Sequence, residues 1–502
     1  SGSRQQAIMR SCQRHTCRVL EGHWAVGHCS SGGDVWPRPR IYRLDRSTVS
    51  QLLQHRGFTT PCRGGREQNT GSVRREAVTD DDSDAHRDAS QESSVRAAWA
   101  AMRRADRQQF LILTCGQVIV NISIGMVAPV LPAFAKELGC GAAGVGAIMA
   151  APNLARMICN LPAGVIADRF GRVPAMVGGE LAAGVGLVGF AGADGLASIL
   201  GFRFLLGAGG SLASAGSQAY IAEVTGKSHL LPFRGAILGL QSGAIGAAYI
   251  VGPALGGLLG EMAGPRVTYA AIGATAIAVG GIFAFLPETL AKPLAAPADA
   301  GVTSEALAAL HSWRQLLHDP LQRACLVGMM TINANWAFAM VVTPMQAAEM
   351  GATPWLTGLF FALGAVASTA MAPVGGVLAD RYGRVALMLP GIGMMACGNL
   401  ALAFASGLHQ LTASFVLWSC AEGLLVPALF AFAADCVPEE KKAQAFSLHR
   451  MSGDAAFVLA PLSLGYAAEV WGTSFACGSA AASTLLAAVV LRWLTRAASS
   501  HR

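Results

Sequence analysis

Residues 164–173 have the sequence GVIADRFGRV, and residues 376–385 repeat it as GVLADRYGRV. Residues elsewhere in the chain are related by the same separation as these two motifs, so similar residue types recur at equivalent positions of two segments. These pairs are Asn121 with Asn333, Pro132 with Pro344, and Glu223 with Asp435. Past Glu223 the offset becomes slightly smaller and pairs Pro253 with Pro461. The chain therefore contains two parallel repeats of similar length.

Long apolar segments surround the two motifs. The chain is 53% hydrophobic and only 13% charged, whereas soluble domains carry roughly 25% charged residues. From Phe110 onward the apolar segments have the length of about 20 residues that a helix needs to cross a bilayer. The 59 glycines suit helices that pack closely in lipid. We predict an all-α membrane protein with twelve transmembrane helices in two six-helix repeats.

The hydropathy pattern divides the chain into five predicted regions. Residues 1–107 form an Arg-rich extension predicted to be disordered, 108–286 a first six-helix bundle, 287–320 a central cytoplasmic loop, 321–496 a second bundle, and 497–502 a tail. An amphipathic helix is predicted near Glu305–Leu317 in the central loop, because its leucines and Trp313 recur on one helical face.

The basic residues predict the orientation. With the N-terminus placed inside, the loops and flanks on that side hold nearly all Lys and Arg residues of the core, and the outside loops hold only Lys136 and Arg266. The positive-inside rule then places both termini on the cytoplasmic side of a multi-pass protein. Residues 1–79 are Arg-rich and acid-poor like a transit peptide, which is one of two interpretations and would direct the protein to a plastid or mitochondrial envelope. The alternative is a cytosolic tail on a plasma-membrane or vacuolar protein.

A run of cysteine and histidine in the extension raises the question of zinc. Its members are Cys12, His15, Cys17, His23, His28 and Cys29. Their spacing matches no standard zinc site, so we predict no metal. Most cysteines of the core lie in apolar segments, where cysteine behaves as a small hydrophobic residue.

The repeated motif resembles the loop signature of the major facilitator superfamily, and the resemblance extends over residues 108–496. In that family the first motif lies between helices 2 and 3, and its echo lies between helices 8 and 9. Residues 203–210, RFLLGAGG, resemble the helix 4 motif of the twelve-helix proton-coupled drug antiporters. Helix 5 resembles the antiporter motif of that branch, although Ala248 stands where the branch has glycine. Its matching residues are Gly239, Gly252, Pro253, Gly256 and Gly257.

The resemblance implies a cytoplasmic gate in each half. Asp168 corresponds to the family's carboxylate that faces the N-terminus of helix 11, where the helix dipole favours a negative charge. Arg172 is expected to pair with Glu223 at the end of helix 4. The predicted gate residues are Gly164, Asp168, Arg169, Gly171, Arg172 and Glu223, with Gly376, Asp380, Arg381, Gly383, Arg384 and Asp435 in the second half. A basic loop that only fixes the topology is the alternative interpretation.

Small residues recur every fourth position along helix 5. The stripe consists of Ala244, Ala248, Gly252, Gly256 and Gly260. It predicts close packing against a partner helix at the interface between the halves, and Pro253 is predicted to bend the helix. Ordinary helix packing without a role in antiport is the alternative.

Ionisable residues inside spans are energetically costly and tend to be functional. Arg156, Arg203, Glu422 and Asp454 are the predicted proton-coupling and cavity residues. We expect Glu422 and Asp454 to carry protons, Arg203 to release the proton of a nearby carboxylate, and Arg156 to do the same or to bind an anionic substrate. Static buried salt bridges are the alternative, and Glu180 is expected to be peripheral.

Helix 1 departs from the drug-antiporter pattern. Many antiporters of that branch carry an Asp there, whereas this chain has Asn121, which cannot carry a proton. Asn121 and Asn333 occupy matched positions of the repeat and are predicted, together with Trp336, to bind substrate.

The motifs argue against an enzyme. Gly226, Lys227 and Ser228 resemble the end of a phosphate-binding loop, but Ile221 occupies the position of its first glycine. The chain has neither a His-Glu-x-x-His nor a Gly-x-Ser-x-Gly motif. We therefore predict no enzymatic activity, no cofactor and no nucleic-acid partner.

These observations predict a secondary active transporter. We expect a proton-coupled antiporter that exports small organic or lipophilic compounds by alternating access and functions as a monomer in the lipid bilayer. A uniporter or an organic-anion carrier of the same fold is one alternative, and a non-transporting receptor or scaffold is another.

Overall fold

The computed structural model describes residues 17–20, 24–27, 40–43, 96–290, 313–437 and 442–500. The predicted zinc run falls almost wholly outside these residues, and so does the predicted amphipathic helix of the central loop, apart from a helical turn at 313–316. The chain divides into two compact units, Ser1–Thr79 and Asp80–Arg502.

The first unit contains a small antiparallel sheet. Its strands are β1 (Cys17–Leu20), β2 (Trp24–Gly27) and β3 (Arg40–Arg43), in the spatial order β1-β2-β3. Cys17 lies opposite Gly27 on β2, and Trp24 lies opposite Arg43 on β3. These strands lie within the segment that the sequence predicts to be an extension.

The second unit begins with a short helix at residues 96–101 and continues into the first bundle. The first four spans are α1 (Arg104–Glu137), α2 (Ala142–Phe170), α3 (Arg172–Ala191) and α4 (Leu196–Thr225). A 3-10 turn at Leu231–Phe233 leads into the helical stretch Arg234–Phe283. Gly264 breaks that stretch with a φ of +82°, so residues 234–263 form α5 and residues 265–283 form α6.

The second bundle has the same succession of helices. Its members are α7 (Pro320–Glu349), α8 (Pro354–Tyr382), α9 (Arg384–Ala403), α10 (Leu408–Asp435), α11 (Lys442–Trp471) and α12 (Thr473–Ser500). Ten helices of the described chain are long and apolar enough to cross a membrane, and the stretch divided at Gly264 counts among them once. The more polar α11, at 30 residues, also has the length of a span. The prediction of twelve transmembrane helices in two six-helix repeats is confirmed.

Glycines with positive φ mark the turns between spans and obey the repeat. Gly171 and Gly383 form the turns after α2 and α8, at one end of the bundle, which we call the motif end. Gly139, Gly264, Gly351 and Gly472 form turns at the opposite end, which we call the far end. Non-glycine residues rarely adopt these backbone angles. Because the glycines lie at equivalent positions of the two halves, the repeat includes the backbone conformation of these turns.

The two halves pack against each other along two equivalent seams, α2 with α11 and α5 with α8. A Cβ atom on Gly465 would lie 2.7 Å from the Ala142 carbonyl oxygen, and one on Gly257 would lie 2.4 Å from the Pro354 carbonyl oxygen at the start of α8. Real Cβ atoms are not found so close to backbone, so only glycine permits these approaches. Both contacts lie in the halves of the helices nearer the far end.

Glycines nearer the motif end of the same helices make no such contact. A Cβ atom on Gly239 or Gly243 of α5, on Gly164 of α2, or on Gly376 of α8 would have no described protein atom within 4 Å. The close backbone contacts of the two seams therefore lie near the far end.

Helix α5 differs in detail from the predicted stripe. Gly252 and Gly256 pack against α1 of the same half, at Ile122 and Met126, whereas Gly257 packs against α8 of the other half. The non-helical backbone within Arg234–Phe283 lies at Gly264, where the chain turns at the far end before α6, and the bend at Pro253 stays a prediction.

A matched pair of glycine substitutions tests the seam. Gly257→Ala would force a methyl group onto the Pro354 carbonyl and the Gly358 backbone, and overpacking of this kind costs about 1–3 kcal/mol. Gly243→Ala occupies open space, and alanine favours helix by roughly 1 kcal/mol. We expect Gly257→Ala to lower the thermal unfolding temperature of the purified protein in lipid nanodiscs, and Gly243→Ala to maintain it. Equal unfolding temperatures for the two variants would contradict the seam.

Candidate functional site

The motif of the first half forms an ion-pair network at the motif end. Arg172 pairs with Asp168, four residues earlier, and its Nε donates to Glu223 Oε1 at 3.0 Å. Thr289 Oγ1 donates to the other oxygen of Glu223. The Arg172 side chain is only 11% exposed although Asp168 is 59% exposed, so the arginine holds a partly buried bridge between α2 and α4.

Glu288 completes this network, and the sequence analysis did not identify it. Gly171 precedes α3 as its N-cap and has no side chain to cap the helix. Instead, the Glu288 carboxylate accepts from the backbone N–H groups of Arg172 and Val173, each at 3.0 Å. A carboxylate at a helix N-terminus satisfies free donors and complements the dipole. The available signal was an acidic residue immediately after the sixth span.

The Glu288 carboxyl is stabilised in its ionised form. Burial would raise the pKa of this carboxyl, but hydrogen bonds from the backbone N–H groups of Leu290, Arg172, Val173 and Thr289 lower the pKa below its ordinary value. A lowered pKa stabilises the fold at pH values above the ordinary carboxyl pKa, and this contribution is lost as the pH falls through the lowered value.

The second half repeats the ion pairs with greater exposure. Arg384 pairs with Asp380, and its Nε donates to Asp435 at 3.3 Å. The Arg384 side chain is 28% exposed and that of Asp380 is 70% exposed. The N-cap of α9, Gly383, also lacks a side-chain cap. The two motifs are thus equivalent in sequence and unequal in burial.

The contact that the family resemblance implies between Asp168 and the N-terminus of α11 stays a prediction, because the residues just before that helix lie outside the described part of the chain. Asp168 pairs with Arg172 on its own turn, and within the described residues it makes no polar contact with α11. The neighbouring glycine Gly164 faces open space.

A polar cluster joins the halves at the middle of the α2–α11 seam. Asp454 of α11 accepts from Asn160 Nδ2 of α2 at 2.7 Å and lies 3.7 Å from Arg156 Nε. Ser211 of α4 donates to Asn160 Oδ1 at 3.1 Å. Two of the four predicted coupling residues, Arg156 and Asp454, therefore meet across the interface.

Arg450 adds a second bridge that the sequence analysis missed. It lies one turn before Asp454 on α11 and donates to Gln218 Oε1 at 3.2 Å and to Ser214 Oγ at 3.1 Å, both on α4. Its separation of four residues from Asp454 places both side chains on one helix face. In the sequence, Arg450 is one of the basic residues of the predicted inside loops and flanks.

Glu422 lies in a separate cluster within the second half. Its carboxylate accepts from Trp336 Nε1 of α7 at 3.2 Å and from Ser368 Oγ of α8. The Trp336 ring lies 6.4 Å from the ring of Tyr249 on α5. An aromatic contact between the two halves thus adjoins a buried carboxylate.

Arg203 lies apart from the other predicted coupling residues. Its guanidinium stands 4.4 Å from the ring centroid of Phe190 and 5.8 Å from that of Tyr269. Its Nε and Nη2 atoms have no hydrogen-bond partner among the described residues. The structure thus places this arginine against aromatic faces and not beside a carboxylate whose proton it would release.

Asn121 and Asn333 occupy equivalent positions, as the repeat predicts. Each donates its side-chain N–H to the backbone carbonyl four residues earlier, Gln117 or Met329, at 2.7 Å. Both side chains are half-buried. In each amide one N–H is used within its own helix, and one N–H remains for another partner. The contact of both residues with substrate stays a prediction.

Fold and site together define a polytopic membrane transporter built from two repeated six-helix halves. Residues 113–344 and again residues 324–502 match the sequence profile of the Major Facilitator Superfamily. The chain belongs to this family. It is accordingly a transporter of small molecules and not an enzyme.

Known proteins of this family resemble the chain over most of its length. An uncharacterized transporter of the family from Methanocaldococcus jannaschii is 22% identical over 354 residues, which are 70% of this chain and 89% of that protein. A homolog of the multi-drug resistance efflux pump PmrA from Lactococcus lactis is 24% identical over 380 residues, 73% of this chain and 92% of that protein.

The solved structures agree on the fold. A bacterial homolog of the human lysosomal transporter Spinster, in an inward-facing and unoccupied conformation, has a TM-score of 0.67 at 13% identity, covering 80% of this chain and 99% of that chain.

The two motif turns offer a matched test of the Glu288 cap. Gly171→Ala and Gly383→Ala both introduce a side chain at a glycine-only backbone conformation, with φ of +109° and +95°, which costs about 1–3 kcal/mol. Only at Gly171 would the new Cβ also strike the Glu288 carboxylate, at 2.6 Å. We expect Gly171→Ala to reduce thermal stability more than Gly383→Ala. An equal loss in both variants would show that the cap contributes nothing.

Proposed function

We propose that this protein exports small organic, lipophilic compounds in exchange for protons by alternating access. The name of the Lactococcus relative, a homolog of a multi-drug resistance efflux pump, supports export as the direction of transport. The polar cluster at the α2–α11 seam supports proton coupling, because it places an ionisable carboxylate between the two moving halves.

Asp454 is the observation that carries the proposal. Its carboxylate belongs to the second half, and its partners Asn160 and Arg156 belong to the first. Ionised Asp454 attracts Arg156 and accepts from Asn160, whereas protonated Asp454 loses the ionic attraction. Protonation therefore changes the free energy of the contact between the halves, which alternating access requires of a coupling residue.

The position of the seams fits an exporter that loads its substrate at the motif end. The basic loops favour a cytoplasmic motif end, and the close backbone contacts between the halves lie at the opposite end. In the proposed cycle, a compound enters between the halves from the cytoplasm. Rocking of the halves about the far-end seams closes the motif end and opens the opposite side.

The two motif networks act in this proposal as the cytoplasmic gate. When the motif end closes, Asp168 approaches the N-terminus of α11, and the dipole of that helix favours its negative charge. Arg172 and Glu223 hold the turn in the geometry that this approach requires. Asp380, Arg384 and Asp435 fulfil the same role in the second half.

Asp454→Asn tests the coupling. We expect this variant, reconstituted in proteoliposomes, to lose accumulation of a fluorescent lipophilic cation driven by a pH gradient by about tenfold or more. Exchange of the same compound without a gradient persists, because asparagine retains the hydrogen bond to Asn160 and removes the titrating group. Both rates are measured with the dye quenched on one side of the membrane.

Glu180→Gln provides the matched control, because Glu180 is a buried carboxyl of α3 that lies outside the α2–α11 seam. It is expected to keep wild-type accumulation. Undiminished gradient-driven accumulation by Asp454→Asn would refute the role of Asp454. Wild-type protein that equilibrates the dye without responding to the gradient would instead indicate a uniporter.

The unequal burial of the motif arginines predicts unequal effects on the gate. Arg172→Gln removes a partly buried arginine from two carboxylates, and charge-assisted hydrogen bonds of this kind are the stronger ones. Arg384→Gln removes a more solvated one. We expect the initial export rate in everted vesicles to fall about tenfold further for Arg172→Gln than for Arg384→Gln, at matched membrane levels. A larger loss for Arg384→Gln would contradict this ranking.

A further inference from the structure

A carboxylate of one half is bonded to a helix of the other half at the far end of each seam. Glu469, near the end of α11, accepts from the backbone N–H of Ala143 in α2 at 2.7 Å. Glu261, near the end of α5, accepts from the backbone N–H of Trp355 in α8 at 3.1 Å. Each half therefore supplies one carboxylate to the other half.

The two bonds are equivalent under the internal repeat. The donors Ala143 and Trp355 have the same separation in the sequence as the two motifs, and each is the second residue of its helix. The acceptors Glu261 and Glu469 have the slightly smaller separation that holds in the later part of the repeat. Because donor and acceptor both follow the repeat, the pair of bonds is a feature of the architecture and not of a single side chain.

The helix N-termini require these acceptors. The N–H groups in the first turn of an α-helix have no partner within the helix, and the positive end of the dipole favours a carboxylate there. The N-cap of α2 is Gly141, which has no side chain. The N-cap of α8 is Thr353, whose hydroxyl accepts from Leu356 and leaves the N–H of Trp355 for Glu261.

The glycine contacts of the seams bring the carboxylates within reach. Glu261 follows Gly257 by one helical turn, and Glu469 follows Gly465 by one turn, so each carboxylate lies on the helix face that meets the other half. A Cβ atom on Gly141 would lie 2.6 Å from the Glu469 carboxylate. The bonds thus lie one turn beyond the glycine contacts, farther from the motif end.

We propose that Glu261 and Glu469 form the far-end gate, the pair of bonds that holds the far end closed and breaks when that end opens. This inference rests on the alternating access of the proposed function and adds the residues that oppose the cytoplasmic gate. Rocking about the glycine contacts that closes the motif end separates the groups beyond those contacts. The two bonds exist in the far-end-closed conformation alone, so their removal favours the opposite conformation.

Both bonds are exposed to solvent, which limits what each contributes. Exposed caps and charge–dipole contacts at helix N-termini give modest free energies that salt screens. On this scale each bond changes the ratio of open to closed far ends by about two- to fivefold. The two effects multiply to about tenfold, and a gate of this strength is weak enough to open in every transport cycle.

Single-molecule energy transfer between dyes at the far end measures this ratio in lipid nanodiscs. The dyes are attached to p-acetylphenylalanine in place of Gly195 and Gly407, the N-caps of α4 and α10 in equivalent far-end turns of the two halves. A Cβ atom at either position would meet at most the Ser198 hydroxyl, at 3.7 Å, and the native cysteines stay unlabelled. Opening events are recorded one by one, so the ratio of open to closed time is measured even when the open state is rare.

Removal of the two carboxylates tests the gate. We expect Glu261→Ala and Glu469→Ala each to raise the ratio of open to closed time about two- to fivefold, and the double variant to raise it about tenfold. Glu261→Gln and Glu469→Gln, which keep an acceptor and lose the charge, are expected to give smaller increases. An unchanged ratio in the double alanine variant would overturn the proposal.

Matched variants separate the gate from general damage. Glu349 is another far-end carboxylate and accepts from Thr473 Oγ1 at 2.7 Å, but both residues belong to the second half. Glu349→Ala is therefore expected to leave the ratio unchanged, and an increase as large as that of Glu469→Ala would contradict the assignment. Gly141→Ala displaces the Glu469 carboxylate, so it is expected to reproduce the effect of Glu469→Ala and to add nothing to it in the double variant.

The distance measurement separates this inference from the proposed function. It uses neither a substrate nor a proton gradient, so the expected increases hold even if the protein proves to be a uniporter. Conversely, gradient-driven export of the lipophilic cation by the wild-type protein, with an unchanged ratio in the double alanine variant, would retain the exporter and reject the far-end gate.

Discussion

The close approach of backbones at the far-end seams is the constraint on which the rest of the structure depends. Gly257 meets the α8 backbone and Gly465 meets the α2 backbone with no room for a Cβ atom. In lipid the hydrophobic effect does not hold helices together, so dense packing of this kind must do so. Because these backbone contacts lie near the far end, they can serve as the pivot for the proposed rocking of the halves.

The repeat explains how much of this architecture the sequence predicts. Two motifs at one offset predict two halves, and the glycines in their turns, Gly171 and Gly383, have nearly equal backbone angles. Span length and loop charge depend on local composition, so both can be predicted from the sequence alone. The pairing of Arg172 with Glu223 was also predictable, because it follows from the family's arrangement of helices 2, 3 and 4.

The remaining features depend on which face each helix presents, and composition does not encode that. Arg203 and Arg156 look alike in sequence as single arginines within apolar spans, yet one lies against aromatic rings and the other beside Asp454. Glu288 acts on α3 although more than a hundred residues separate it from Arg172 in the chain. Because Gly171 has no side chain to cap α3, the first backbone N–H groups of that helix require another acceptor. Only the tertiary structure shows that Glu288 supplies it.

The position of the polar cluster matters for the proposed coupling of protons to movement. If the halves rock about the glycine seams, displacement between them grows with distance from the far end. Asp454 lies closer to the seam than Arg450 does, since Gly465 follows it on α11 toward the far end. Its contacts with α2 therefore move less than the bonds from Arg450 to α4. In the proposed mechanism, a carboxylate near the pivot re-forms its pair after each cycle, whereas the bonds from Arg450, farther from the pivot, undergo the larger displacement.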